Sequence, residues 1–126
     1  MNQLSSILLC EDEPELAHMF STQLTKAGYD VRVARDGNEA MIALHERRPD
    51  LMLLDLVMPD KDGFQVLRDI QADPSLQGIR IFAWSNLTQE SEIKQAKDLG
   101  VEDYLIKSNY TPSKLVEHVA ALLQKK

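Results

Sequence analysis

Two short runs of the sequence are apolar at every position, Ile7 to Cys10 (ILLC) and Leu51 to Leu54 (LMLL). A strand with one face in water alternates apolar and polar residues, whereas a strand covered by helices on both faces is apolar throughout. Three further strand-like runs occur at Tyr29 to Ala34, Ile79 to Trp84 and Asp103 to Ile106. The pattern predicts a five-stranded parallel sheet in which the two fully apolar strands are central.

Each interval between strand-like runs carries a helical pattern that ends at a stop signal. In the first interval, Leu16, Phe20, Leu24 and Ala27 follow helical spacing, and Gly28 stands where a helix ends in a left-handed cap. We expect the last three apolar residues to form the core face of this helix. The other predicted helices cover 38–46, 63–73, 89–99 and 111–124.

Alternating strands and helices with right-handed crossovers predict an α/β fold. The expected architecture is a doubly wound, five-stranded parallel sheet of order 2-1-3-4-5, flavodoxin-like (βα)5, with its ligand site beyond the carboxyl ends of the central strands. A chain of 126 residues is the size of one domain, so we expect a single domain over 1–126 with a core at about 5–124 and no output domain.

Charge and cysteine content limit the partners. A net charge of -6 with no basic block argues against direct nucleic-acid binding, which depends on Lys and Arg neutralising phosphates. No apolar stretch is long enough to span a membrane. The single cysteine, Cys10, cannot form a disulfide within the chain, so a reducing, cytoplasmic location is expected.

The residues that follow the central strands carry the chemistry. Glu11 and Asp12 follow the first strand, Asp55 the third, Ser85 the fourth and Lys107 the fifth. These ends lie on one edge of the sheet, and clustered carboxylates suit Mg²⁺. With the cation present the pocket can accept a phosphoryl group, which Asp55 attacks as nucleophile while the lysine and serine stabilise its charge.

Four segments, ILLCEDEPEL, DLMLLDLVMPDKDGF, IRIFAWSN and DYLIK, resemble the receiver domain of two-component response regulators. The resemblance covers residues from Ile7 to Leu123. It implies that Asp12 binds Mg²⁺ directly, that Glu11 binds it through water, and that Val57 contributes a backbone carbonyl. Asp55 would be both a metal ligand and the phosphoacceptor.

The resemblance also implies a switch and a docking surface. Ser85 corresponds to the hydroxyl that moves toward the phosphoryl group, Tyr104 to the aromatic that changes rotamer with it, and Lys107 to the ion partner. Leu16 and Met19 lie where receivers dock a sensor histidine kinase or a histidine phosphotransfer protein, although both could be core residues. The output partner is unknown, since the chain is either a stand-alone regulator or part of a longer protein.

The sequence departs from the family pattern at two positions. Asn86 follows the switch hydroxyl where the family has a small residue, which predicts narrower access to the phosphoryl group. Ser108 follows Lys107 where the family has proline, commonly with a cis bond. A cis bond before a residue other than proline costs about 2.5 to 4 kcal/mol, so we expect a trans bond. Trp84 should point away from Ser85 and serve packing.

Two other functional classes agree less well with the sequence. A haloacid-dehalogenase-like aspartyl-phosphate hydrolase uses the same nucleophile, Lys and Mg²⁺, but it needs a second carboxylate two residues after the nucleophile, where this chain has Val57. A nucleotide-binding module needs a Gly-rich loop after the first strand, where this chain has acidic residues. The prediction is therefore a self-phosphorylating signalling switch rather than an enzyme.

Overall fold

The computed structural model describes residues 4–124. Five parallel strands form one sheet, and their spatial order is 2-1-3-4-5. The strands are β1 (Ser6–Cys10), β2 (Asp30–Ala34), β3 (Leu51–Leu54), β4 (Ile81–Ser85) and β5 (Asp103–Ile106). The predicted fold is confirmed, including the central positions of the two fully apolar strands.

Helices connect the strands, and two short 3-10 turns, Pro74–Leu76 and Lys107–Asn109, complete the chain. The helices are α1 (Pro14–Lys26), α2 (Gly37–Glu46), α3 (Gly63–Ala72), α4 (Glu90–Asp98) and α5 (Pro112–Gln124). Their bounds lie within one residue of the predicted ones, whereas β4 begins at Ile81 rather than Ile79, because ladder pairing with β3 starts there. Within residues 4–124, no helix has the length and apolarity needed to cross a bilayer.

The sheet separates two apolar clusters. Alternate residues of β1 and β3 point to opposite faces, so one cluster packs under α2, α3 and α4 and the other under α1 and α5. Phe20 and Leu24 of α1 are buried as predicted, but Ala27 is exposed, and the prediction for it was wrong. The helix ends at Lys26, so Ala27 leaves the buried face, and Ala17 completes that face.

The start of α3 lies directly against the end of β3. A Cβ atom added to Gly63 would lie 2.5 Å from the carbonyl oxygen of Asp55 and 2.7 Å from the Cα of Leu56. Any side chain there would push the helix off the strand end. Because Gly63 has no side chain, the start of α3 can pack directly against Asp55 and Leu56, the residues that follow β3 at the edge on which the candidate site lies.

Candidate functional site

Three carboxylates converge at the carboxyl edge of the sheet. Glu11 and Asp12 follow β1, and Asp55 follows β3. Each offers an oxygen that lies within 4.8 Å of the oxygens offered by the other two. Glu11 and Asp55 are only 1% and 3% exposed, so their charges need partners inside the protein.

Lys107 supplies the positive charge that these carboxylates need. Its Nζ lies 2.6 Å from Oε1 of Glu11 and 2.8 Å from Oδ2 of Asp55. Burial alone would lower the pKa of Lys107, but the hydrogen bonds to the two carboxylates outweigh it and raise the pKa. The lysine therefore stays protonated and bridges the ends of β1 and β3 from the end of β5.

The carboxylate of Asp55 has a shifted pKa. Burial raises its pKa from 3.8 to about 6, although the hydrogen bonds from Lys107 and from the backbone N–H of Val57 pull the pKa down. The Val57 N–H donates to Oδ1 at 2.9 Å. At neutral pH the carboxylate is ionised but poorly solvated, which is the state a nucleophile needs.

The carboxylate of Glu11 is held from three sides. Besides Lys107, the indole Nε1–H of Trp84 donates to Oε1 at 3.3 Å, and the backbone N–H of Glu13 donates to Oε2 at 3.1 Å. Trp84 is fully buried and packs edge-on against Phe20, so its predicted packing role is confirmed. Its hydrogen bond to the acidic cluster was not predicted.

A cleft of about 280 Å³ opens over the cluster. Its lining includes most of the residues predicted for the site and adds Glu13 and Leu87. The lining residues are Asp12, Glu13, Asp55, Val57, Ser85, Asn86, Leu87 and Lys107. The side chain of Val57 is 57% exposed at the mouth of this cleft.

Ser85 and Tyr104 are joined through the backbone of Leu87. The Leu87 N–H donates to Oγ of Ser85 at 3.2 Å, and the hydroxyl of Tyr104 donates to the Leu87 carbonyl at 2.7 Å. Tyr104 is half-buried and packs on the cluster under α2, α3 and α4. A movement of the Ser85 hydroxyl can therefore be passed to the tyrosine through one residue.

Asn86 and Ser108, the two residues that depart from the family pattern, are in direct contact. Oδ1 of Asn86 accepts the backbone N–H of Ser108 at 2.9 Å. No peptide bond among residues 4–124 is cis, so the trans bond expected between Lys107 and Ser108 is confirmed. Residues Lys107–Asn109 form a 3-10 turn. Proline at 108 would disfavour such a helical backbone at the residue before it.

The residues predicted for partner docking lie outside this cleft, on α1. Met19 is 42% exposed, whereas Leu16 is half-buried and packs on the cluster under α1 and α5. Docking at these two residues stays a prediction. Of these two residues, only Met19 presents a substantial apolar surface to a partner.

The donor set fits a hard divalent cation. Glu11, Asp12 and Asp55 provide oxygen ligands close enough together to share one ion, and their three formal negative charges exceed the single positive charge of Lys107 by two. Exposed acidic groups often cluster without a metal, but here two of the three are buried. The cluster could therefore hold a metal ion.

Comparisons with known proteins agree with this geometry. The family model described as the response regulator receiver domain matches residues 7–120. The DNA-binding response regulator MtrA of Mycolicibacterium smegmatis is 36% identical over 119 residues, which are 94% of this chain and 50% of MtrA. The structure of the phosphorylated cyanobacterial phytochrome response regulator RcpA has a TM-score of 0.82 at 34% identity, covering 95% of this chain and 91% of that one. The Mn²⁺-bound form of response regulator Rcp1 has a TM-score of 0.84 at 29% identity, covering 97% and 96%.

The chain belongs to the response regulator receiver domain family. It is a receiver domain of a response regulator in two-component signalling, and it works as a signalling switch. The resemblance seen in the sequence is thereby confirmed. The comparisons give no support for the haloacid-dehalogenase alternative.

One prediction about partners was wrong. The acidic charge was expected to exclude nucleic acid, yet relatives at 35–36% identity are named DNA-binding response regulators. The chain spans about half the length of the curated relatives it matches. The net charge of -6 belongs to the receiver domain alone. It therefore gives no information on whether the rest of a response regulator binds DNA.

Proposed function

We propose that Asp55 accepts a phosphoryl group from a phosphohistidine donor and that the chain itself supplies the catalytic groups for this transfer. The observation that carries the proposal is the position of Asp55. Its carboxylate is buried at the strand end, raised in pKa to about 6, and still paired at 2.8 Å with Lys107. It lines the cleft of about 280 Å³ that also contains Ser85 and Lys107.

In the proposed transfer, an oxygen of Asp55 attacks phosphorus, the phosphorus–nitrogen bond of the donor breaks, and the leaving imidazole takes a proton from solvent. Lys107 can leave Asp55 Oδ2 for a phosphoryl oxygen while remaining close to Glu11, because one ammonium carries three donors. The Val57 N–H holds the other oxygen of Asp55 in place. In the proposed autodephosphorylation, water attacks the same phosphorus, the bond between phosphorus and the Asp55 oxygen breaks, and inorganic phosphate leaves as the Asp55 carboxylate is restored and the proton of the water passes to solvent.

The proposed cofactor is Mg²⁺, held by Glu11, Asp12, Asp55 and the backbone carbonyl of Val57. When bound, Mg²⁺ neutralises charge on the transferring phosphoryl group. The clustered carboxylate oxygens support the proposal. Relatives of similar structure, Rcp1 in an Mn²⁺-bound form and RcpA in a phosphorylated form, support the same chemistry by family analogy.

The proposed switch runs from Ser85 through Leu87 to Tyr104. A phosphoryl group on Asp55 would attract the Ser85 hydroxyl, which now accepts the Leu87 N–H. Moving Leu87 changes the acceptor of the Tyr104 hydroxyl and thus the surface beside β5. We further infer a DNA-directed output and a cytoplasmic location; the names of the relatives support the first, and membership of the family supports the second.

Acetyl phosphate, or beryllofluoride as a stable analogue, tests the phosphoacceptor in the presence of Mg²⁺. One site should be modified in the wild type, and Asp55→Asn should abolish the modification. Asp60→Asn is the matched control, because Asp60 is an exposed residue five positions further on whose positive φ of 66° asparagine tolerates. Phosphorylation of the Asp55→Asn variant at a comparable rate, at another residue, would overturn the assignment.

A further inference from the structure

Asn86 and Ser108 depart from the receiver pattern at two positions far apart in sequence, and the structure joins them by one hydrogen bond. The bond runs from the Ser108 N–H to Oδ1 of Asn86 at 2.9 Å, across 22 positions of sequence. A proline at 108 would have no N–H to donate, and an alanine or glycine at 86 would have no side-chain oxygen to accept it. The hydrogen bond therefore requires both a residue other than proline at 108 and a side chain with an acceptor at 86.

The hydrogen bond lies beside the phosphoryl site. Asn86 directly follows Ser85, the last residue of β4, and Ser108 directly follows Lys107, the first residue after β5. The two strands are paired up to Ser85 and Ile106, where the ladder ends. The side-chain bond of Asn86 thus continues the connection between the strands one step beyond their backbone pairing.

The connection between the two strand ends bears on the placement of Lys107. Its ammonium must reach Glu11 and Asp55 at once, at 2.6 and 2.8 Å, from the end of an edge strand. A lysine side chain is long and flexible, so its placement depends on how firmly the backbone at its base is held. On one side β5 holds that backbone, and on the other side the Ser108 N–H is held by Asn86.

We propose that Asn86 is a positioning residue for phosphoryl transfer: through the Ser108 amide, it fixes the backbone from which Lys107 reaches Asp55. The inference rests on the proposed function of Asp55. Asn86 also lines the cleft over Asp55, so its side chain limits the entry of phosphodonors and water. Positioning and access are separate effects of one side chain, and different substitutions distinguish them.

Two variants separate the effects. Asn86→Leu keeps the bulk of the side chain and removes the acceptor, whereas Asn86→Ala removes both. Asn109→Ala is the matched control, because Asn109 is exposed and lies in the same 3-10 turn as Ser108. The hydrogen bond itself is followed by hydrogen exchange of the Ser108 amide in NMR spectra, which a general loss of packing would not affect selectively.

The rates of Asp55 phosphorylation are measured against acetyl phosphate concentration with Mg²⁺ in excess. For Asn86→Leu we expect faster exchange at the Ser108 amide and a saturating rate lower by about two- to tenfold, the range that corresponds to one ordinary hydrogen bond. Asn86→Ala should show the same loss of saturating rate with a lower KM, because its cleft is wider. Asn109→Ala should match the wild type in exchange at Ser108 and in both kinetic constants.

Two results would overturn the inference. If Ser108 exchanges at the wild-type rate in both Asn86 variants, the hydrogen bond does not hold the turn. If exchange rises but the saturating rates equal that of the wild type, the bond holds the turn without positioning Lys107. Either result leaves the role of Asp55 intact, whereas a wild type that acetyl phosphate does not modify at Asp55 would remove the proposed function itself.

Discussion

Replacement of Asp55 by asparagine should stabilise the metal-free protein. Burial raises the pKa of Asp55 from 3.8 to about 6, so above pH 6 the folded protein keeps a charge that the unfolded chain solvates better. A difference of roughly two pH units corresponds to about 3 kcal/mol. The asparagine amide retains an acceptor for Lys107 but weakens a charge-assisted hydrogen bond, so we expect a net gain of about 1 to 2 kcal/mol. For a domain of this size that is roughly 3 to 8 °C in Tm.

The stabilisation by Asp55→Asn should depend on pH, because the charge that it removes depends on pH. A carboxyl group whose pKa is raised on folding binds its proton more tightly in the folded state, so its contribution lowers stability as pH rises from about 4 through 6. The stability difference between Asp55→Asn and the wild type should therefore be largest above pH 6 and should shrink as pH falls toward 4. Thermal melts in EDTA across this range measure it, with Asp60→Asn as control.

Mg²⁺ should reduce the stability advantage of Asp55→Asn over the wild type. A cation that binds only the folded site raises Tm with its concentration, and the variant, which lacks one ligand, should gain less than the wild type. If Asp55→Asn were less stable than the wild type in EDTA at pH 8, and Mg²⁺ left the wild type unchanged, the buried carboxylates would not share one site. The assignment of this edge to phosphoryl chemistry would then fail.

Three further predictions test other parts of the structure. Val57 and Leu87 are apolar at the cleft, so phosphate release from phosphorylated protein should be slow, and replacing either with Glu or Asn should speed it by orienting water; unchanged release times would contradict this. The hydrogen bond to Asp73 raises the pKa of His45 above 6.5, so its stabilising effect should be present below pH 6.5 and lost at higher pH; urea unfolding of the wild type and His45→Gln at pH 6 and pH 9 measures it. Trp84 is the only tryptophan and touches Glu11, so its fluorescence should change on Mg²⁺ addition, and an unresponsive spectrum at saturation would argue against that coupling.

The fold was predictable because its signals are local and repeated. The runs at Ile7 to Cys10 and Leu51 to Leu54 are apolar throughout because both faces are covered, and the helices end at Gly or near Pro as expected. Parallel strands place their carboxyl ends at one edge whatever the side chains are. The convergence of Asp55 with Lys107 therefore followed from topology alone.

The finer contacts were not predictable because they depend on rotamers and on backbone turns. Alternation along β4 correctly placed Trp84 in the core, but it could not show that the indole N–H reaches Glu11 from there. The contact of Asn86 with Ser108 depends on the 3-10 turn after β5, which no sequence pattern indicated. Ala27 followed helical spacing, yet the helix ended one residue before it.

The charges of the cluster give a physical reason for the Mg²⁺ that we propose beside Lys107. Glu11, Asp12 and Asp55 carry three formal negative charges and Lys107 carries one positive charge, so the formal charge of the four groups is -2. A phosphodonor would bring further negative charge close to Glu11 and Asp55, which are buried, and charges are screened less in the protein interior than in water. Glu11, Asp12 and Asp55 would hold the proposed Mg²⁺, whose two positive charges would bring this formal sum to zero. In the proposed transfer Lys107 would then be able to follow the phosphoryl group, because the indole N–H of Trp84 and the backbone N–H of Glu13 also donate to the Glu11 carboxylate.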